Sequence, residues 1–190
     1  MRDKFQVNFE IIRLYDENNS PPAVTKVGVL PFMATSTPAS WKVMVMKPRA
    51  EAKHLGEPSF QLAKGTRQIY INEHWCDMRD DDLRHADASF FEPLVQTALR
   101  EGREEVGLKT SNIKRIFDMG GFVFTSVSKG IKRPLHMFAA EIMNEEDFDP
   151  FEPSTAQARW MTQGEFAKWG RADHAKILDE ILKPLMAAFA

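Results

Sequence analysis

The sequence predicts a single α/β (α+β) domain in which a mixed β-sheet is sandwiched between helices. Three observations indicate this class. The chain has 190 residues, 43% of them hydrophobic, and a chain of this length buries roughly 70% of its unfolded surface in one core. Short apolar runs rich in β-branched and aromatic residues alternate with a few helical patterns. No repeat or long Gly/Ser linker divides the sequence, so residues 1–190 are predicted to form one domain.

Four strands are predicted from apolar runs bounded by turn residues. Residues 24–33 and 41–46 flank a Thr-Ser-Thr-Pro turn sequence and are predicted to pair as a hairpin. Two further strands are predicted at residues 113–124 and 135–143. Residues 1–22, which end in Asn-Asn-Ser-Pro-Pro, are assigned to an N-terminal extension that precedes the sheet.

Two helices are predicted near the C-terminus. The shorter one begins near Thr162, which has capping-box spacing to Glu165. The longer one covers residues 173–186, and we expect Pro184 to kink or fray its end. Its apolar residues recur with helical spacing and form one face: Ile177, Leu178, Ile181, Leu182 and Leu185.

Another helix, at residues 93–106, carries the candidate chemistry. It begins with Pro93 and is followed by Gly107, the usual order of these residues at helix ends. Three glutamates share one arc beside its apolar face: Glu101, Glu104 and Glu105. Like charges at this spacing repel one another, and the helix dipole disfavours acids near a C-terminal end. Because Mg²⁺ binds carboxylates, the arc is either a metal site or a solvated acidic face.

The letters around these glutamates favour the metal site. Residues 100–108 read Arg-Glu-Gly-Arg-Glu-Glu-Val-Gly-Leu and resemble the core of the Nudix box of the Nudix hydrolases. Glu92 precedes them by the seven residues that the box requires, and Gly65 resembles its opening glycine. Residues 158–165 resemble the strand-to-helix step near the family's C-terminus. The resemblance extends over about residues 24–169 and implies a Nudix-like mixed sheet between helices.

Two features depart from the family pattern. Residues 66–91 form an insertion where the box has a spacer of about five residues; strict spacing would instead place Ala86 at the glycine position. The insertion is predicted to form a flap or wall of the substrate site, or a homodimer contact. Gly102 replaces a large aliphatic residue, and a glycine inside a helix is unfavourable. We therefore expect another element to pack closely against Gly102.

The resemblance also implies the activity and the roles of individual residues. Nudix hydrolases use Mg²⁺ or Mn²⁺ to cleave the diphosphate linkage between a nucleoside diphosphate and another group. The residues that match the metal-binding and catalytic glutamates are Glu101, Glu104 and Glu105. Those that match structural support of the box are Gly65, Glu92, Arg100 and Gly107. Glu152 is chosen as a further ligand or general base from the acids that precede Trp160: Glu145, Glu146, Asp147, Asp149 and Glu152.

Basic residues near the opening strand and in the later hairpin are candidate substrate ligands: Lys64, Arg67 and Arg133. The substrate stays open among a nucleotide sugar, an ADP-ribose-like molecule and a dinucleoside polyphosphate, because residues 123–126 carry no subfamily marker. Phe122 or Phe124 is a candidate for stacking on a base, although an aromatic residue in a strand is more often in the core.

Composition restricts the partners and the alternatives. A net charge of −2 favours neither a nucleic acid polymer nor a membrane surface as a partner; the partner that the resemblance implies is a small nucleotide substrate. The N-terminus lacks a signal peptide pattern, and the one cysteine fits a reducing cytoplasm. A non-catalytic nucleotide-binding or regulatory module remains an alternative. A prenyl-diphosphate isomerase is less favoured, because Cys76 lies in the insertion without a matching motif. A zinc site at His74, Cys76 and His85 lacks paired spacing.

Overall fold

The computed structural model describes residues 26–37, 40–49, 60–71, 74–77, 91–126 and 130–189. The N-terminal extension proposed for residues 1–22 lies outside these ranges, as do Ala86 and His85 of the weak zinc hypothesis. Within the described residues, no helix has both the length and the apolar content needed to cross a bilayer.

A mixed sheet forms the centre of the fold. Its strands are β1 (Lys26–Met33), β2 (Lys42–Pro48), β3 (Ala63–Thr66), β6 (Ile113–Ser126), β7 (Ile131–Ile142) and β8 (Thr155–Thr162). They follow the order β6-β7-β1-β2-β8, with β3 paired to β1 beside β2. Only the β1–β7 pair among these is parallel. The predicted pairing of the first two strands is confirmed, with Phe32 opposite Val43.

Helices cover both faces of this sheet: α1 (Leu94–Val106), α2 (Gln163–Trp169) and α3 (Ala172–Phe189). Residues of α1 pack with Val27 and Val29 in one core cluster. Residues of α3 pack with Leu30 and Phe32 in the other cluster, because neighbouring side chains of a strand alternate between faces. The five predicted apolar positions of α3 are all buried. The predicted mixed sheet between helices is confirmed.

The structure corrects three details of the predicted helices. Pro93 is the N-cap of α1 rather than its first residue. Leu99, which helical spacing places on the apolar face of this helix, is only partly buried against the core and also lines an outer groove. The last helix, predicted to end at residue 186 with a kink or fraying at Pro184, continues to Phe189. The carbonyl group that loses its intrahelical partner to Pro184 is that of Glu180, and both residues are exposed, so water can reach it.

The insertion contains a hairpin that the sequence analysis did not predict. Strands β4 (Gln68–Ile71) and β5 (His74–Asp77) form a separate antiparallel pair. Their β-branched and aromatic residues were the available signal, which the many acidic residues of the insertion obscured.

Two main-chain N–H groups at β3 connect the helical layers. Leu62 donates to Nδ1 of His174 in α3 over 3.0 Å, and Lys64 donates to Oε2 of Glu105 in α1 over 2.6 Å. Both donors are therefore satisfied by side chains rather than by another strand, which protects the strand from pairing with a second chain. The opening strand of the box is held from both faces of the fold.

Candidate active site

The C-terminal end of α1 is shaped by Gly107. Its φ of 72° lies in the left-handed region, which glycine adopts without the steric penalty that other residues incur. The Gly107 N–H donates to the Arg103 carbonyl group, and the Leu108 N–H donates to that of Gly102, each over 3.0 Å. A Cβ atom on Gly107 would lie 1.8 Å from the Asp149 carbonyl oxygen. The loop after β7 therefore presses directly against the helix end.

That loop also brings Glu152 to the helix. The Glu152 N–H donates to the Glu104 carbonyl oxygen over 2.8 Å, and the Asp149 N–H donates to that of Gly107 over 2.8 Å. The Thr155 hydroxyl donates to the Glu105 carbonyl oxygen over 3.0 Å. These bonds satisfy carbonyl groups that the last helical turn leaves free. They place Glu152 beside Glu104, whose pKa is raised by burial and by the Glu152 charge, against the opposing attraction of Arg100.

The Glu101 carboxylate lies directly over Gly65. The Glu101 side chain is buried, with 7% of the residue exposed, and a Cβ atom on Gly65 would lie 1.8 Å from its Oε2. Only glycine leaves room for this approach. The fold therefore brings together the predicted opening glycine and the first glutamate of the 100–108 segment, although the insertion separates them in sequence.

Burial and mutual repulsion perturb the two innermost carboxylates. Burial raises the pKa of Glu105 to about 7, with the Glu101 charge adding to the shift and the Lys64 ammonium and N–H opposing it. Burial also raises the pKa of Glu101 to about 6, where Glu104 adds to the shift and Arg100 opposes it. The local cations therefore do not fully compensate these two groups.

Arg100 links the helix, the insertion and the carboxylates. Its Nε and Nη2 donate to the two carboxylate oxygens of Glu92, each over 3.0 Å, and Nη2 also donates to the Thr66 carbonyl oxygen over 2.8 Å. Its Nη1 donates to Glu101 over 2.8 Å and to Glu104 over 3.1 Å. Burial would lower the pKa of Arg100, but the Glu92 and Glu101 interactions raise it above its ordinary value. Arg100 and Glu92 thus hold the box together.

Gly102 packs as closely as its departure from the family pattern suggested. A Cβ atom at this position would lie 2.5 Å from Cγ1 of Val29 and 3.0 Å from Cδ2 of Leu108. The absence of a side chain therefore lets α1 approach β1 closely, which offsets the low helix propensity of glycine.

Basic side chains gather at the same end of the sheet. Lys26, at the start of β1, hydrogen-bonds to the Thr66 hydroxyl. Burial lowers the pKa of Lys26, the Glu101 charge opposes that shift, and Arg133 adds to it. Nζ of Lys64 donates to Gln61 Oε1 over 3.0 Å and lies 5.0 Å from the centre of the Phe124 ring.

Sequence reasoning missed Lys26. The only feature of the sequence that could have indicated a role for Lys26 was its position at the start of the first strand. The sequence did not reveal the register of that strand with β3. Phe124, one of the two base-stacking candidates, is 5% exposed and belongs to the core.

Arg67 has a structural place rather than the substrate-binding one that the sequence suggested. It is 3% exposed, its Nε donates to the Glu92 carbonyl oxygen over 2.6 Å, and its guanidinium lies 5.1 Å from the centre of the Phe91 ring. These contacts join the two ends of the insertion. The prediction that Arg67 binds substrate is therefore replaced by a structural role, in which Arg67 holds the two ends together.

The carboxylates of four glutamates are suitable ligands for Mg²⁺, but their positions do not form a complete coordination site. These residues are Glu101, Glu104, Glu105 and Glu152. Over the described ranges, no three carboxylate, imidazole or thiol side chains converge closely enough to hold an ion. Arg100 occupies Glu101 and Glu104, while Glu105 accepts the Lys64 N–H. Hard oxygen donors suit Mg²⁺ and Mn²⁺, but an ion would have to compete with the Arg100 contacts.

A groove of about 910 Å³ runs along the outer side of α1 and is lined by two of these glutamates, Glu104 and Glu152. Its charged lining residues are Arg100, Arg103, Glu104, Lys109, Asp149 and Glu152. Glu104 and Glu152 therefore face space that a substrate can enter, whereas Glu101 is directed toward β3.

Comparison with known proteins identifies the fold. No family model matches the sequence, and no curated protein matches it significantly. Among solved structures, the chain is similar to a Caenorhabditis elegans Ap4A hydrolase, with a TM-score of 0.55, 16% identity and coverage of 87% of this chain and 96% of that one. The Nudix domain of Shewanella oneidensis NrtR in complex with ADP-ribose matches with a TM-score of 0.57, 17% identity and coverage of 90% and 96%.

A third similar structure is the Escherichia coli dihydroneopterin triphosphate pyrophosphohydrolase, with a TM-score of 0.54, 13% identity and coverage of 85% of this chain and 95% of that chain. At these identities the likeness concerns the fold. The features that the sequence resemblance predicted are present in the structure: the helix α1, the approach of Gly65 to it, and the mixed sheet. This chain therefore has the fold of the Nudix hydrolases.

Proposed function

We propose that this protein is a Mg²⁺-dependent hydrolase that cleaves the diphosphate linkage of a nucleoside diphosphate derivative. The observation that carries the proposal is the meeting of uncompensated carboxylates and partly buried cations at one end of the sheet. Glu101 and Glu105 come from α1, Lys26 from β1, and each influences the ionisation of another member of the group. A metal–diphosphate complex matches such a site, because the metal cation would meet the carboxylates and the diphosphate anion would meet the cationic side chains.

In this proposal the metal is held by Glu101, Glu104 and Glu105. A bound Mg²⁺ would neutralise diphosphate charge and make a water molecule more acidic. Carboxylates whose burial and repulsion favour protonation gain the most from a cation, which supports the choice of these three. Mn²⁺ is expected to substitute for Mg²⁺ because it shares the preference for hard oxygen donors.

The remaining residues are assigned by their contacts. Glu152 is proposed as an additional ligand or general base, because its main chain is fixed to α1 beside Glu104 and its side chain lines the groove. Lys26, Lys64 and Arg133 are proposed to bind the diphosphate. Arg100 is a structural residue in this scheme, since Glu92 and the Thr66 carbonyl group fix its position.

The domain assignment follows the same reasoning. We propose that residues 1–190 form one Nudix domain, with residues 66–91 as an insertion that walls the site and residues 1–22 as an extension. The anchoring of the insertion to the box by Arg67, Gln68 and Glu92 supports this arrangement.

Incubation with nucleotide sugars, ADP-ribose and dinucleoside polyphosphates, with products identified by mass spectrometry, tests the activity. We expect cleavage at a diphosphate linkage that requires Mg²⁺, stops in excess chelator and returns when Mg²⁺ is restored. Glu105→Gln should lower turnover by about 10² or more if a metal is lost from the transition state. Glu180→Gln, an exposed change on α3, is the matched control and should keep turnover. Full activity in chelator would exclude the metal mechanism.

A nucleotide-binding module without turnover is the second candidate. It is favoured by the Arg100 contacts that occupy Glu101 and Glu104 in the structure. NrtR, whose Nudix domain has this fold, has also been solved in complex with a 27mer DNA. The same panel distinguishes the two functions, because a binding module would leave every nucleotide of the panel intact.

A further inference from the structure

The hairpin of the insertion presents two aromatic side chains to solvent. Tyr70 and Trp75 lie directly opposite each other in the β4–β5 register, with ring centres 5.4 Å apart. Tyr70 is 38% exposed and Trp75 is 52% exposed. By contrast, Ile69 is 1% exposed, because neighbouring residues of a strand point to opposite faces. The hairpin therefore packs Ile69 against the protein and turns the aromatic pair outward.

This hairpin is fixed to the box by hydrogen bonds at its base. The Glu92 N–H donates to the Gln68 carbonyl oxygen over 2.9 Å, and the Gln68 N–H donates to Glu92 Oε2 over 3.2 Å. Glu92 in turn holds Arg100, which contacts Glu101 and Glu104. Three successive hydrogen-bonded contacts, from Gln68 to Glu92, from Glu92 to Arg100 and from Arg100 to the glutamates, thus connect the base of the aromatic hairpin to the proposed metal ligands.

The aromatic pair lies on the same hairpin face as residues close to the basic end of the sheet. Asp77 is opposite Gln68 and two residues from Trp75, so the two side chains share a face and lie about 6.6 Å apart along the strand. Lys26 is opposite Thr66 in the β1–β3 register and hydrogen-bonds to the Thr66 hydroxyl. Thr66 is two residues before Gln68, so the base of the hairpin lies beside the proposed diphosphate site. The outward face thus begins at that site and leads to the aromatic rings.

We propose that Tyr70 and Trp75 form a platform on which the base of the nucleotide substrate stacks. This inference rests on the proposed function and adds its base-binding residues. Every nucleobase has a flat aromatic face that stacks on Trp or Tyr with little sequence preference, so the platform selects nucleosides over other diphosphate partners without selecting one base. The alternative purpose of the pair is to stabilise a two-stranded hairpin, which is marginal alone.

A matched pair of probes separates these purposes. The first probe is α,β-methylene ADP, whose bridging carbon prevents hydrolysis, and the second is methylenebisphosphonate, which has the same phosphonate pair without a nucleoside. Calorimetric titration in Mg²⁺ gives the Kd of each probe for the wild-type protein and for Tyr70→Ala, Trp75→Ala and Trp75→Phe. Met143→Ala removes an equally exposed apolar side chain, 51% exposed, at the end of β7 and serves as the control.

We expect Trp75→Ala to weaken binding of the nucleoside probe at least about five-fold, the lower end of what one stacked base contributes. Tyr70→Ala should weaken it by a similar or smaller factor, and Trp75→Phe should restore most of the affinity. Binding of methylenebisphosphonate and the mass in solution should stay unchanged in every variant. Met143→Ala should bind both probes like the wild-type protein.

Three results would overturn the platform. One is unchanged affinity for the nucleoside probe in both alanine variants. Another is an equal loss for both probes, which would mean that the hairpin only supports the box. The third is a change of oligomeric state on Trp75→Ala, which would assign the pair to a contact between copies. If the wild-type protein shows Mg²⁺-dependent turnover, any of these results refutes the platform alone and leaves the proposed hydrolase function standing. If the wild-type protein shows no turnover, the proposed hydrolase function itself is refuted.

Discussion

Replacement of Gly65 by Ala tests whether the contact between β3 and Glu101 positions a catalytic carboxylate. The new Cβ atom would lie 1.8 Å from Oε2, 1.9 Å from Cδ and 2.1 Å from Oε1 of Glu101. Since real Cβ contacts are essentially never below 3.0 Å, the carboxylate must retreat by about 1.2 Å or more. A misplacement of about 1 Å in an active site can lower the rate about 10²-fold.

The same change should leave the fold intact. The clashing atoms are the far end of a flexible side chain rather than main chain, and alanine in a strand is favoured over glycine by roughly 0.5–1 kcal/mol. We therefore expect the free energy of unfolding to stay within about 1 kcal/mol of the wild-type value while turnover falls about 10²-fold, equivalent to about 2.7 kcal/mol in the activation barrier.

The assay compares turnover, Mn²⁺ affinity and denaturant unfolding for Gly65→Ala and a matched control. Gly121→Ala is that control, because Gly121 also lies in a strand and a Cβ atom there would have no neighbour within 4 Å. Turnover within a few-fold of the wild type for Gly65→Ala would refute the reasoning. A loss of turnover accompanied by equally large destabilisation would show a packing defect instead.

Three further perturbations have expected outcomes. Glu105→Gln removes a partly buried charge next to Glu101, so the melting temperature of this variant in chelator should equal or exceed that of the wild type. A clear decrease would contradict the inference that the Glu101 and Glu105 charges repel each other. Gly102→Leu should lower the free energy of unfolding by about 1–3 kcal/mol through overpacking against Val29, and Val29→Ala in the same protein should recover part of it in denaturant titrations. His174 is buried, with its pKa lowered well below 6.5 by burial and by the Lys64 charge. In the unfolded chain the His174 imidazole takes up a proton that it resists in the folded protein. The free energy of unfolding should therefore fall as the pH drops below about 6.5, by up to about 1.4 kcal/mol per pH unit. His174→Gln should flatten this slope, and an unchanged slope would assign the acid sensitivity to other groups.

Much of the fold was predictable because local signals agreed with it. The apolar periodicity of α3 matched its buried face, and the Thr162–Glu165 capping box forms at the start of α2. The N-terminal boundary of α1 differs by one residue from the predicted one, and its C-terminal boundary at Val106 is as predicted. These signals act within a few residues along the chain, where propensity and capping dominate.

Contacts between distant segments were not predictable in this way. The register that sets Lys26 beside Thr66 and the burial of Arg67 against Glu92 depend on how β3 and the insertion meet α1. The insertion hairpin was obscured by the many acidic residues of the insertion. Such arrangements depend on tertiary packing, which often overrides local pattern.

The sequence by itself determined the arrangement of carboxylates on one helix and, through the Nudix box, the class of fold. It did so because helical spacing fixes which side chains of a single element share a face. The tertiary structure decided what those carboxylates meet: Gly65 under Glu101, the Lys64 N–H on Glu105 and the Glu152 loop on the helix end. These contacts join residues far apart in sequence, and only close packing of strand, helix and loop determines the distances between them.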